Sequence, residues 1–107
     1  MTTKLIAVYT TVATRADAQV LAKAIIEQRL AACAQLMEIE SIYAWQGEVN
    51  QEAEWRIIFK TTSERYPDLL KTLQQLHPYQ LPQICGTDLP TVSVEYSKWI
   101  RDNILPK

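Results

Sequence analysis

Apolar and polar positions change their period several times along the chain, and each change marks a new element. Residues 4–12 are apolar on both faces in their middle, which predicts a central β-strand. Apolar residues then recur at helical spacing as far as about Arg29, which predicts an amphipathic helix. Thr14 and Asp17 resemble a capping box, so we expect the helix to begin there.

A long extended segment follows over residues 32–49, with its return strand at residues 54–61. Gly47 is interpreted as a bulge and Asn50-Gln51 as the hairpin tip. From Ile42 onward both faces of the first strand are apolar, whereas a hairpin with one face in water should alternate cleanly. In a chain this short, we expect the second face to be covered by another copy.

The second half of the chain predicts two further helices around a short strand. A helix should begin near Ser63 and end before Pro78, because the residue before proline disfavours helical backbone. Residues 83–89 lie between two prolines, which is typical of an edge strand. Ser93 should cap a last helix. The order β-α-β-β-α-β-α predicts a single α+β domain over residues 1–107, ferredoxin-like in its first six elements, with an antiparallel sheet.

Composition narrows the function classes. The net charge is -1, with cations and anions interspersed, so the dense positive face that nucleic-acid binding needs is missing. We find no secretory signal and no apolar run long enough to span a membrane. Two well-separated cysteines do not make a disulfide framework, which favours a cytoplasmic chain with reduced thiols. With only two glycines, Gly-rich phosphate loops are also excluded.

Few residues are candidates for chemistry. His77, the single histidine, is either a ligand-site or metal-site imidazole or a helix-terminal cap. Cys33 and Cys85 are either soft ligands for Cu(I), if several chains contribute them, or small apolar residues. The carboxylates near the hairpin tip are interpreted as a solvated hairpin end rather than as an acid/base pair; they are Glu48, Glu52 and Glu54. No nucleophile and base pair is recognisable, so we expect a protein that is not an enzyme.

Six strings stand out along the chain: Leu30–Ala34, Ser41–Val49, Glu52-x-Glu54, Ile57–Thr62, His77–Pro82 and Tyr96–Ile100. In order and spacing, these strings resemble the CutA divalent-cation tolerance family. The likeness covers nearly the whole chain, and its two most specific strings are Ser-Ile-Tyr-x-Trp-x-Gly and His-Pro-Tyr-x-x-Pro. Two departures occur: Gln80 stands where the family commonly has an acidic residue, and the last strand lacks a Gly that usually follows it.

The resemblance implies a ferredoxin-like fold, a tight homotrimer like that of the PII signalling proteins, and tolerance to copper and other divalent cations. It implies no catalytic activity. Residues at matching positions are Cys33, Tyr43, Trp45, Lys60, His77, Tyr79 and Trp99.

Two functions follow as hypotheses. The first is a trimeric divalent-cation tolerance protein that binds copper or similar ions, with Cys33 and His77 as metal ligands. The second is a PII-like signalling trimer that binds a small ligand in an intersubunit cleft. For that cleft we predict that Lys60, His77 and Tyr79 lie close together, with Tyr43 and Trp45 nearby.

Overall fold

The computed structural model describes residues 3–106 and confirms the predicted order of elements. Four strands and three helices alternate as β-α-β-β-α-β-α. The elements are β1 (Leu5–Val12), α1 (Arg15–Glu27), β2 (Cys33–Trp45), β3 (Glu48–Thr62), α2 (Tyr66–Leu76), β4 (Ile84–Asp88) and α3 (Val94–Asp102).

The strands form one antiparallel sheet in the order β2-β3-β1-β4, which confirms the predicted α+β, ferredoxin-like fold. Side chains of a strand alternate between faces, so register decides what each residue can contact. Val8 pairs with Phe59 and both lie on the face covered by α1 and α2, here called the helix face. Ala7 pairs with Lys60 on the opposite side, here called the open face.

The main core lies between the helix face and helices α1 and α2. Its fully buried members come from β1, β3, α1 and α2 and include Val8, Ile25, Ile57, Phe59, Leu69 and Leu73. A second, smaller cluster lies where α3 packs over one end of the open face, through Leu5, Ala32, Ile100 and Ile104. No helix within residues 3–106 covers the remainder of the open face.

Two of the predicted helix caps are confirmed, whereas the side-chain cap predicted for α2 at Ser63 or a neighbouring residue does not form. The backbone N–H of Asp17 donates to Thr14 Oγ1 at 3.1 Å, and that of Tyr96 donates to Ser93 Oγ at 3.2 Å. Each bond satisfies an N–H that the first turn of a helix leaves unpaired. Helix α2 begins instead after Arg65, whose side chain makes no capping bond, with Pro67 in its first turn. Proline lacks an N–H, so fewer donors need a cap there.

The turn between β2 and β3 lies at Gln46-Gly47, so the predicted tip at Asn50-Gln51 and the bulge at Gly47 are both wrong. Trp45 pairs with Glu48 across a two-residue loop. Gln46 and Gly47 have φ values of 51° and 80°. Positive φ at both central residues is the geometry of a type I′ turn, whose twist matches that of the flanking strands.

We predict that Gly47→Ala destabilises the protein by about 1–2 kcal/mol, because a Cβ at positive φ meets its own backbone. Apart from Gly47 itself and its two chain neighbours, no described atom lies within 4 Å of the position of the added Cβ, so the loss is one of local backbone conformation alone. The urea unfolding midpoint measures it. Gly47→Asn is the matched control and should retain most of the stability, since asparagine tolerates this region. Equal losses in both variants would contradict the assignment of the turn.

The β2–β3 hairpin projects beyond the rest of the sheet. Pairing with β1 ends at Val12 and Trp55, so the hairpin beyond Trp55 is two-stranded. The fold is accordingly elongated, with extents of 46 × 25 × 21 Å. Between residues 3 and 106, no helix has the length and apolar character needed to cross a membrane.

Candidate functional site

A cavity of about 740 Å³ lies on the open face, between the projecting hairpin and the segment 77–83 that joins α2 to β4. The hairpin supplies one wall from both of its strands. The segment supplies the other wall, where it passes around the end of β1. The principal lining residues are Thr11, Ser41, Tyr43, Trp45, Glu52, Glu54, Tyr79 and Gln83.

The two walls are joined by a hydrogen bond from Tyr79 to Glu54. The Tyr79 hydroxyl donates to Glu54 Oε2 at 2.8 Å. Burial, followed by this bond, raises the pKa of Tyr79 far above its ordinary value of 10.0, so the phenol remains a donor. On the hairpin, Tyr43 has a raised pKa, from desolvation first and then from its hydrogen bond to Glu52.

The cavity is acidic. Glu54 is only 7% exposed, and Glu52 lies on the same face of the same strand two residues away. None of the ion pairs found among residues 3–106 includes either carboxylate. Burial of an unpaired carboxylate is costly, so the arrangement favours a cationic group beside Glu54 and disfavours an anion.

The prediction that Glu54 belongs to a solvated hairpin end is wrong. The structure buries it, because Glu54 lies where the hairpin leaves the sheet and the Tyr79 segment covers it. No local signal in the sequence could have identified this burial, because the covering residue Tyr79 lies 25 residues later in the chain.

His77 is the first residue after α2 and joins three parts of the structure. Its Nε2 lies 2.9 Å from the backbone carbonyl oxygen of Thr11 and 3.0 Å from Thr10 Oγ1. Its Nδ1 accepts from the backbone N–H of Tyr79 at 3.0 Å. Burial lowers the pKa of His77, despite the Thr11 carbonyl and the charge of Glu54. Both ring nitrogens are therefore engaged, and the structure does not support His77 as a metal ligand.

The predicted proximity of Lys60 to His77 and Tyr79 is wrong. Lys60 lies on the open face, where its ammonium is 5.3 Å from the centre of the Tyr96 ring. His77 instead bonds Thr10, whose side chain is on the helix face. Lys60 pairs with Ala7, which is three residues, or roughly 10 Å, from Thr10 along β1. Lys60, near the end of β3, therefore faces the open side of the sheet, whereas His77, the first residue after α2, reaches the helix face through Thr10.

The structure does bring together the other members of the predicted cleft. Tyr43, Trp45 and Tyr79 all line the cavity. The cavity also contains Thr11, from β1, and Gln83, from the segment before β4. Neither residue was predicted, because neither belongs to a recognisable sequence motif.

Cys33 lies away from the cavity, beside α3. It pairs with Lys60 across the sheet, and its Sγ is 3.6 Å from the hydroxyl of Tyr96. Burial first, and then this contact, raises the pKa of Tyr96 to about 12. Tyr96 also stacks on Trp99 at 5.6 Å between ring centres. Cys33 and His77 are therefore far apart on opposite faces and cannot share a metal ion within one chain.

Cys85 is exposed on β4 and faces the open side opposite Tyr9. In the described part of the chain, no group of three or more His, Cys, Asp or Glu side chains is arranged to hold a metal ion. A closed metal site of protein ligands would thus require side chains from more than one copy.

Comparisons with known proteins agree with this architecture. The family described as CutA1 divalent ion tolerance protein matches residues 6–103. A divalent-cation tolerance protein CutA of Thermotoga maritima is 40% identical over 101 residues, covering 94% of this chain and 100% of the relative. Protein CutA of Homo sapiens is 33% identical over 85 residues, covering 78% of this chain and 48% of the human protein.

Solved structures give the same result. CutA from Synechococcus elongatus superposes with a TM-score of 0.93 at 40% identity, covering 97% of this chain and 93% of that one. CutA1 from Oryza sativa superposes with a TM-score of 0.94 at 30% identity, covering 99% and 98%. The strings shared in sequence, the fold and the match over residues 6–103 together show that this chain belongs to the CutA1 divalent ion tolerance protein family.

Proposed function

We propose that the protein acts in divalent-cation tolerance as a cytoplasmic homotrimer that binds copper or a similar ion, and that it has no catalytic activity. The observation that carries the assembly is the projecting hairpin. Ile42 and Val49 are 65% and 80% exposed on its helix-face side, while Tyr43 and Trp45 are 38% and 42% exposed on the other. An isolated two-stranded hairpin is marginally stable in water, so another copy is the natural cover.

Three copies satisfy this need in a closed ring, since each hairpin can pack on the next copy around one axis. The family resemblance supports three rather than two. Light scattering across a dilution series tests the assembly, and a mass near 12.3 kDa at micromolar concentration would refute it.

Copper is proposed to bind through the Cys33 thiolate. Thiolate is a soft ligand suited to Cu(I), and Cys33 is partly accessible beside the exposed end of α3. Because the described residues of one chain hold no cluster of ligands, affinity should be modest and should depend on neighbouring copies.

We predict that Cys33→Ser weakens copper binding at least tenfold, whereas His77→Ala leaves it unchanged because both imidazole nitrogens are engaged within the chain. Calorimetric titration at two pH values measures both effects, and binding should weaken at the lower pH as protons compete for the thiolate. Cys85→Ser is the matched control, as a second free thiol outside the proposed site. Equal affinity in all four proteins would mean that copper is bound elsewhere or adventitiously.

A second candidate function is a PII-like sensor of a small ligand, and the cavity supports it. Unpaired Glu54 and Glu52 beside Tyr43 and Trp45 favour an organic cation, through charge and through the faces of the aromatic rings. Tryptophan fluorescence titrated with an alkylammonium salt, and with the matching carboxylate salt, tests this function. Saturable binding of the ammonium ion alone, lost in Glu54→Gln, is the expected result. No response to either salt would remove this candidate.

A further inference from the structure

His77 makes the side-chain contacts that fix segment 77–83 where it leaves α2. The segment has no regular secondary structure until β4 begins at Ile84. Its anchor to the sheet is the imidazole, which reaches Thr10 and Thr11 near the end of β1. Strand β4 pairs β1 only as far as Thr10, so the Thr11 carbonyl lies beyond that ladder and is free to accept from the ring.

The partners of the ring assign its tautomer. A carbonyl oxygen can only accept, so Nε2 carries the proton and donates it to Thr11. The backbone N–H of Tyr79 can only donate, so Nδ1 is unprotonated. The folded arrangement therefore requires a neutral imidazole with its proton on Nε2.

A second proton is incompatible with these contacts. It would bind Nδ1 and face the Tyr79 N–H across 3.0 Å, so two donors would meet where a hydrogen bond now exists. The side-chain hydroxyl of Tyr79 donates to Glu54 on the opposite wall of the cavity. Loss of the backbone bond would thus be transmitted directly to the cavity.

We propose that His77 is an acid-sensitive latch, which holds segment 77–83 against the cavity when neutral and releases it when protonated. The latch is built from contacts within one chain and includes none of the residues proposed to bind copper.

The groups that face the imidazole determine the direction of the effect. Strand β1 presents an uncharged hydroxyl and a carbonyl, the segment presents the Tyr79 ring at 5.0 Å, and β3 presents the carboxylate of Glu54. Burial outweighs the attraction of Glu54, and the pKa of His77 in the closed state lies below its ordinary value of 6.5. The closed state is fully favoured above pH 6.5 and weakens as pH falls through the lowered pKa.

The test follows the backbone amide of Tyr79 and the imidazole of His77 by NMR on the assembled protein between pH 7.5 and 4.5. We expect the Tyr79 amide to lose protection from exchange with the same midpoint as His77, below pH 6.5, after correction for intrinsic exchange. Coupling to one proton limits the change to about tenfold per pH unit.

Two variants separate the latch from other acid effects. His77→Gln removes the titrating group, so the segment should show no transition in this range. Tyr79→Phe removes the bond to Glu54 but retains the backbone N–H, so its transition should persist. A transition that survives in His77→Gln, or disappears in Tyr79→Phe, would assign it to the carboxylate and overturn the proposal. An unchanged Tyr79 amide while His77 titrates would also overturn it.

Discussion

Replacement of Trp45 by Asp is expected to leave the protein monomeric. Trp45 is the last residue of β2, and its side chain is 42% exposed in a single chain at the outer end of the hairpin. In the proposed trimer, this surface is covered by another copy. Truncation of an aromatic at the centre of an interface commonly costs more than about 2 kcal/mol, and a buried unpaired carboxylate adds to that loss.

Light scattering at several concentrations measures the result directly, and circular dichroism checks that the variant remains folded. Val20→Asp is the matched control, because Val20 is 71% exposed on α1, away from the hairpin. It should assemble like the unmodified protein. If Trp45→Asp assembles with an unchanged melting temperature, Trp45 does not lie in the interface. If both variants dissociate, the effect comes from added charge and not from the hairpin.

The fold was predictable because its signals are local. Thr14 and Ser93 are followed by helical apolar periods, and each does cap the helix that the pattern predicted. Residues 83–89 were recognised as an edge strand from their flanking prolines, and β4 is indeed at the edge of the sheet. Capping and proline restrictions act within a few residues, so a single sequence contains enough information to identify them.

The hairpin tip was predicted at the wrong position because polar residues were given more weight than backbone geometry. Asn50-Gln51 carries polar turn residues, but the register is fixed by the turn that accommodates two positive φ angles, at Gln46-Gly47. Glycine is the residue most compatible with that geometry, and Gly47 was instead interpreted as a bulge.

The candidate site was less predictable because it depends on which face each strand presents. Tyr43, Trp45 and Tyr79 do converge on the cavity, as the family resemblance implied. Lys60 does not, because it lies on the same face of β3 as Glu54 but six residues farther along the strand, roughly 20 Å away, beside Tyr96 and Cys33. The burial of Glu54 depends on a segment more than twenty residues later in the chain, and no local pattern reports such a contact.

These corrections change the expected ligand. A cleft built from Lys60 and His77 would have favoured an anion, whereas the observed cavity has two carboxylates and a neutral imidazole behind its wall. The carboxylates favour a cation in the cavity, which supports the proposed organic ammonium ligand, whereas copper is proposed to bind at Cys33. The variants that distinguish these functions are separated in space, with Cys33 beside α3 and Glu54 in the cavity.

Replacement of Phe59 by Ala is expected to have the largest effect on folding. Phe59 is fully buried on the helix face of β3, where it pairs with Val8 in the core that α1 and α2 cover. Removal of a buried phenyl ring costs about 3–5 kcal/mol, through lost transfer free energy and the cavity left behind. That loss is a large fraction of the stability of an ordinary domain.

Urea unfolding at fixed chain concentration measures this loss, since assembly makes apparent stability concentration-dependent. Ile58→Ala is the matched control: Ile58 is the next residue along β3 but lies on the open face and is only partly buried. It should lower the unfolding midpoint much less than Phe59→Ala does. Phe59→Leu should fall between the two, because leucine refills most of the cavity. A greater loss for Ile58→Ala than for Phe59→Ala would contradict the core described above. It would show that the open face is the more tightly packed of the two, with the main stabilising contacts between copies.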